Sequence, residues 1–175
     1  MFRSLIMAAA ALAFLAAPVR AATVDPALSA DANAAYLQSN AAKPGVVTRP
    51  SGLQYRIIRS GYGMRPGPLD TVTCYYKGAL INGTVFDATE PGFPAKFVVN
   101  KLIPGWTEAL ELMRQGDHWQ IVVPSDLAYG PRGAGDGVIP PNQVLVFDLE
   151  LVSVTPAPPS KPGDDDQGSG GDSQQ

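Results

Sequence analysis

The chain has 175 residues, 45 % of them hydrophobic and 17 % charged, and carries a net charge of −3. That length suits one ordinary domain with extensions, and the composition is enough for an apolar core. A single cysteine and a single histidine exclude an intramolecular disulfide and the usual four-ligand structural zinc site; no basic stripe is present for nucleic acid.

The first segment reads MFRSLIMAAAALAFLAAPVRAATVD. Arg3 precedes an apolar run from Leu5 to Ala17, and small residues follow at Val19-Arg20-Ala21. This is the layout of a cleavable export signal over residues 1–21. A run of about 13 to 15 apolar residues is shorter than the roughly 20 that span a bilayer, so no membrane segment is expected after cleavage. Cleavage would remove Arg3 and Arg20 and no acid, taking the net charge from −3 to −5. The mature chain is expected to be periplasmic or secreted.

Residues 22–50 are Ala-rich and polar. Weak helical patterning from Leu28 to Ala42 stops at Lys43-Pro44-Gly45, which predicts a short helix and an extended lead-in. The folded domain is expected over residues 51–155. Strands are predicted at Leu53–Ile58, Thr71–Ile81, Thr84–Asp87, Lys96–Val99, Trp119–Val123 and Val144–Val154. Asn82-Gly83 marks a tight hairpin between the second and third. One helix interrupts the strands. Trp106, Ala109, Leu110 and Met113 recur at helical spacing, Pro104 suits the first position, and Gly116 suits the C-terminal cap. A helix with one apolar face needs a sheet to cover it, which gives an α+β domain with an antiparallel sheet. Residues 156–175 lack any apolar period and read as a disordered tail.

His118, at the start of a strand, reads as a solvated edge residue. The chain has no G-x-S-x-G elbow, no H-E-x-x-H and no phosphate loop. Tyr129-Gly-Pro-Arg-Gly-Ala-Gly-Asp-Gly137 is glycine-rich but leads into a strand, so no helix N-terminus offers amides to a phosphate. What remains is a set of aromatic residues with few polar groups: Tyr76, Phe86, Trp106, Tyr129 and Phe147, with Asp87 at a strand end. These are either plain core or an apolar cup with a few convergent polar groups, the usual form of a small-ligand site. Val138-Ile139-Pro140-Pro141 poses the same choice, since an apolar loop tip either folds onto the core or walls a site.

The ordered set Tyr76-x-Gly78, Asn82-Gly83-x-x-Phe86-Asp87, Leu102-Ile-Pro-Gly-Trp106, Glu108-x-Leu110, Tyr129-Gly130, Val138-Ile-Pro-Pro141 and Leu145-Val-Phe-Asp148 resembles the FKBP-type peptidyl-prolyl cis-trans isomerases. Asn40-Ala-Ala-Lys-Pro-Gly-Val46 with Ser51-Gly-Leu-Gln-Tyr55 resembles the exported bacterial branch related to macrophage infectivity potentiators. The resemblance implies an antiparallel sheet of five to six strands wrapped around one short helix. It implies a pocket of Tyr76, Phe86, Leu102, Trp106, Val138, Ile139 and Phe147, with Trp106 as the floor under a substrate proline. Asp87, Tyr129 and Ile103 would be the catalytic set: the Tyr129 hydroxyl and Ile103 amide holding substrate carbonyls, and Asp87 bordering the twisting amide. Val138-Ile139 would form the pocket lip. No cofactor or metal is implied. The partners would be proline-containing polypeptides, with macrolides as possible inhibitors of the family.

Two positions depart from the family pattern. Ala95 stands where an aromatic often precedes the Lys-Phe of a strand, and the loop from Tyr129 to Val138 is slightly longer and lacks a histidine. Both bear on substrate preference and macrolide affinity. The alternative reading is a non-catalytic chaperone or peptide-binding module on the same fold. Residues 22–50 are short for the helical pairing region of longer relatives, so a monomer is expected.

Overall fold

The computed structural model describes residues 25–159. The proposed signal over residues 1–21 and most of the tail, residues 160–175, lie outside the described residues.

Helix α1 (Ala30–Ala41) follows a short 3-10 turn at Pro26–Leu28. Ser29 caps it by accepting a hydrogen bond from the Ala32 amide, and the chain turns away through Gly45 at φ 78°. The strands are β1 (Val46–Thr48), β2 (Gln54–Arg59), β3 (Thr71–Leu80), β4 (Val85–Ala88), β5 (Ala95–Val98), β6 (His118–Val123) and β7 (Leu145–Thr155). Helix α2 (Pro104–Leu112) lies between β5 and β6.

All pairings are antiparallel, in the order β1-β2-β6-β7-β3-β4, with β5 also on β3. The architecture is α+β, as expected, with seven strands and two helices among the described residues. The seventh strand, β1, comes from the lead-in, where Val47 pairs with Tyr55 across a tight return. Its three residues carry too little alternation to register as a strand in the sequence.

The alternation of β3 and β7 decides which face is covered. Val72, Cys74, Gly78 and Leu80 are buried on β3, and Leu145, Phe147, Leu149 and Leu151 on β7. Trp119, Ile121 and Val123 of β6 join them in one core with Trp106, Ala109, Leu110 and Met113 of α2. Each large side chain buried there stabilises the fold by about 1.5–3 kcal/mol. Close contact of helix and sheet depends on Gly105, where a Cβ would come within 2.4 Å of Val123 Cγ1.

Two local expectations change. Pro104 does open α2, but the helix ends at Leu112 with Met113 as its cap, so Gly116 is not the capping glycine. Gly116, at φ 94°, serves instead in the turn closed by the Asp117 amide donating to the Arg114 carbonyl. His118 does begin its strand, but β6 lies inside the sheet between β2 and β7, not at an edge. Its Nε2 lies 2.6 Å from Asp148 Oδ1 on β7. The neighbour that makes it interior is β2, which continues past a bulge to pair Arg59 with His118.

Candidate active site

The hairpin between β3 and β4 sets one wall of the site. Its loop, Ile81-Asn82-Gly83, is closed by the Gly83 amide donating to the Leu80 carbonyl, and only Gly83 has positive φ (88°). The Asn82 side chain accepts from the Thr84 amide. This is a three-residue loop ending in a left-handed glycine, one of the common hairpin closures. It returns the chain so that Asp87 pairs with Gly78.

Gly78 has Phe147 as its partner on the other side, on β7. A Cβ at Gly78 would lie 2.6 Å from Phe86 Cζ and 2.8 Å from Phe147 Cε1. The missing side chain is what lets those rings meet edge to face, with centroids 5.7 Å apart and planes at 87°.

Trp106, in the first turn of α2, lies beneath this wall and is 4 % exposed. Three rings approach it nearly at right angles: Tyr76 at 5.2 Å, Phe147 at 5.3 Å and Phe97 at 5.8 Å between centroids. Its indole Nε1 is buried with no hydrogen-bond partner. Aromatic faces accept such a donor only weakly, so the arrangement favours burial of carbon over polar satisfaction.

Together Tyr76, Phe86, Asp87, Phe97, Leu102, Ile103, Trp106, Tyr129 and Phe147 line a cavity of about 120 Å³. Its only ionised lining group is Asp87, which is exposed on β4. The Tyr76 hydroxyl donates to Asp87 Oδ2 at 2.6 Å. Burial pushes the Tyr76 phenol upward, and the hydrogen bond and charge of Asp87 push it further, so the proton stays on the tyrosine. The carboxylate is thereby held at the mouth as an acceptor. The Ile103 amide, just before α2, makes no backbone hydrogen bond within the described chain. Among the described residues no three His, Cys, Asp or Glu side chains converge as a metal-ligand group.

Eight of the ten residues expected from the sequence therefore line one cavity: Asp87, Tyr129, Ile103, Tyr76, Phe86, Leu102, Trp106 and Phe147. Val138 and Ile139 do not border it. They line a neighbouring depression of about 330 Å³ that shares Phe86, Asp87 and Tyr129 with the first. Ile139 is buried and Val138 is 56 % exposed, so the two residues of the loop tip divide between core and surface. Phe97 is the lining residue that the sequence reading lacked. Its signal was the alternation Ala95-Lys96-Phe97-Val98, which turns Ala95 and Phe97 inward on β5.

This constellation has clear counterparts. The sequence model of "FKBP-type peptidyl-prolyl cis-trans isomerase" matches residues 63–152, and that of "Domain amino terminal to FKBP-type peptidyl-prolyl isomerase" matches residues 7–57. The Outer membrane protein MIP of Legionella longbeachae is 57 % identical over 124 residues, which are 70 % of this chain and 53 % of that protein. The FKBP-type 22 kDa peptidyl-prolyl cis-trans isomerase of Escherichia coli is 51 % identical over 120 residues, 68 % of this chain and 58 % of its own. The chain thus spans a little over half the length of these relatives. Among solved structures, a peptidyl-prolyl cis-trans isomerase from Pseudomonas syringae superposes with a TM-score of 0.68 at 37 % identity, covering 72 % of this chain and 92 % of that one. FkpA from Escherichia coli superposes with a TM-score of 0.69 at 42 % identity, covering 72 % and 59 % respectively. With sequence, fold and aromatic cavity in agreement, this chain belongs to the FKBP-type peptidyl-prolyl cis-trans isomerase family, in the bacterial branch that includes the Mip and FkpA proteins.

Proposed function

We propose that the chain is a peptidyl-prolyl cis-trans isomerase that rotates Xaa-Pro bonds in exported polypeptides and so assists their folding. The observation that carries this reading is the Trp106-floored aromatic cup, whose few polar groups are the Tyr76 and Tyr129 hydroxyls, the Ile103 amide and the Asp87 carboxylate. A proline ring rests on Trp106 between Tyr76, Phe97 and Phe147. The Tyr129 hydroxyl and the uncommitted Ile103 amide hold the flanking carbonyls, and Asp87 borders the amide as it twists. Val138 and Ile139, in the adjoining depression, take the chain beside the proline.

Rotation about an Xaa-Pro bond meets a barrier of about 18–20 kcal/mol and takes tens of seconds or longer unaided. A planar amide is more dipolar than a twisted one. Removing it from water into an apolar cup raises the ground state more than the transition state, which is differential binding. No bond is made or broken, so the reaction needs no nucleophile among the lining residues.

Export follows from the signal-like segment before residue 22, and the chain acts as a monomer whose clients are proline-containing polypeptides. Family macrolides bind the same cup, with affinity set in part by Ala95 and the loop from Tyr129 to Val138. The test is protease-free exchange spectroscopy on Xaa-Pro peptides, with Tyr129→Phe beside the wild type. Acceleration by the wild type that falls in the variant supports the reading. A folded wild type that accelerates no Xaa-Pro peptide overturns it in favour of a non-catalytic peptide-binding module.

A further inference from the structure

Helix α1 is docked in an unusual way. The residues it buries most deeply are two asparagines, Asn33 and Asn40, at 5 % and 3 % exposure. Buried amides are costly unless every polar atom finds a partner. Here they find partners on two different parts of the domain.

Asn33 Nδ2 donates to Gln143 Oε1 at 3.1 Å and to the Ser29 carbonyl at 2.9 Å, with the Leu28 carbonyl at 3.2 Å. Its Oδ1 accepts from the Val144 amide at 2.8 Å. Gln143, itself 5 % exposed, donates through Nε2 to the Leu28 and Pro141 carbonyls at 3.0 Å each. The two side-chain amides thus form a closed, buried clamp between the start of α1 and the segment that enters β7. Asn40, about two turns further along the same face of α1, donates to Gln54 Oε1 of β2 at 2.8 Å.

The clamp grips the end of the loop that carries Tyr129, Val138 and Ile139. That loop is closed at its base by the Asn142 amide donating to the Gly130 carbonyl at 2.8 Å. Within it Ala134 and Ile139 exchange both backbone hydrogen bonds. Asn142 and Asp136 hold positive φ, and four glycines in the loop do the same, so its own backbone preferences specify it weakly. The same lead-in also touches the opposite wall of the cup, where Asn82 Nδ2 of the β3–β4 hairpin donates to Asp25 Oδ2 at 3.1 Å.

We infer that Asn33 and Gln143 are positioning residues. Through them α1, which lies outside the matched isomerase segment, sets the position of Tyr129 at the cup and of Ile139 in the adjoining depression, and with it the affinity for substrate. This rests on the isomerase reading above. Asn33 lies outside the catalytic cup and acts only through the loop.

Asn40 supplies the control, because it docks the same helix onto β2, away from the loop. The purified chain is compared as wild type, Asn33→Ala and Asn40→Ala by exchange spectroscopy, thermal unfolding and amide hydrogen exchange. Misplaced binding groups degrade catalysis even from a distance. Asn33→Ala is therefore expected to raise KM and lower kcat/KM by roughly three- to tenfold, and to speed exchange at Ile139 and Asn142. Asn40→Ala is expected to lower the unfolding midpoint while leaving kcat/KM and those two amides as in the wild type. If Asn33→Ala does not yield folded protein, Gln143→Ala opens the clamp from the loop side and is expected to give the same signature. An active wild type with equal kcat/KM in both helix variants overturns the inference, as does unchanged protection at Ile139 and Asn142. An inactive wild type refutes the isomerase reading instead, and the exchange comparison then decides the clamp alone.

Discussion

Gly78→Ala is a sharp structural test of how the cup is built. The new methyl would start 2.6 and 2.7 Å from two Phe86 ring carbons and 2.8 Å from Phe147. Carbon atoms prefer roughly 3.5–4.0 Å, so a ring must retreat by about 1 Å. Phe147 is 4 % exposed in the middle of the sheet and has nowhere to go. Phe86, half-buried on the outermost strand, is the ring that moves. Overpacking of this kind costs about 1–3 kcal/mol, and losing the edge-to-face pair adds about 0.5–1.5 kcal/mol. Replacing glycine returns about 0.4–1 kcal/mol by restricting the unfolded chain. The net expectation is a loss of about 0.5–4 kcal/mol in denaturant unfolding, together with a fall of about tenfold in kcat/KM as the wall opens. In a Phe86→Leu background the same glycine substitution should cost about 1 kcal/mol less, because the clash has been relieved. A Gly78→Ala protein that unfolds at the wild-type midpoint with full activity, or a double mutant showing no coupling, would refute the packing argument.

Other expectations follow from single side chains. Tyr76→Phe removes the donor to Asp87 and is expected to cost about 0.5–1.5 kcal/mol in stability, measured by chemical denaturation, with a several-fold lower kcat/KM. Cys74 is fully buried on β3 and its thiol is pushed up to about 12 by desolvation. The folded state therefore keeps the proton while the unfolded chain loses it above about pH 8.5. Stability from this residue is intact below that pH and declines between there and about 12, at up to about 1.4 kcal/mol per pH unit. Cys74→Ala should flatten that part of the stability–pH curve, and the wild-type thiol should react with maleimide only on unfolding. The chain has two tryptophans, and only Trp106 lines the cup. A proline peptide should change the fluorescence of Trp119→Phe and leave that of Trp106→Phe unchanged.

Much of this was legible in the residues. Helical spacing from Trp106 to Met113 and alternation along β3, β6 and β7 fix the α+β layers because apolar faces must be covered. The docking of α1 was not legible, since buried asparagines carry no apolar period and their partners, Gln54 and Gln143, are 14 and 110 residues away. Phe97 was missed because a four-residue strand gives only two turns of alternation. Val138 and Ile139 are neighbours in the sequence that point to different environments, which composition alone does not resolve. His118 shows the same limit, for a strand's place in the sheet is set by long-range pairing with β2 and β7.

The most direct test of the central claim is magnetisation exchange between cis and trans forms of an Xaa-Pro peptide with the purified chain, wild type against Asp87→Ala. The account predicts strong acceleration by the wild type, and a rate lowered by at least about tenfold in the variant, since in the proposed mechanism the carboxylate borders the twisting amide. The variant should still unfold cooperatively and lose no more than the about 0.5–1.5 kcal/mol of the Tyr76–Asp87 hydrogen bond. Equal acceleration by both proteins would contradict the role given to Asp87, and no acceleration by a folded wild type would contradict the account itself.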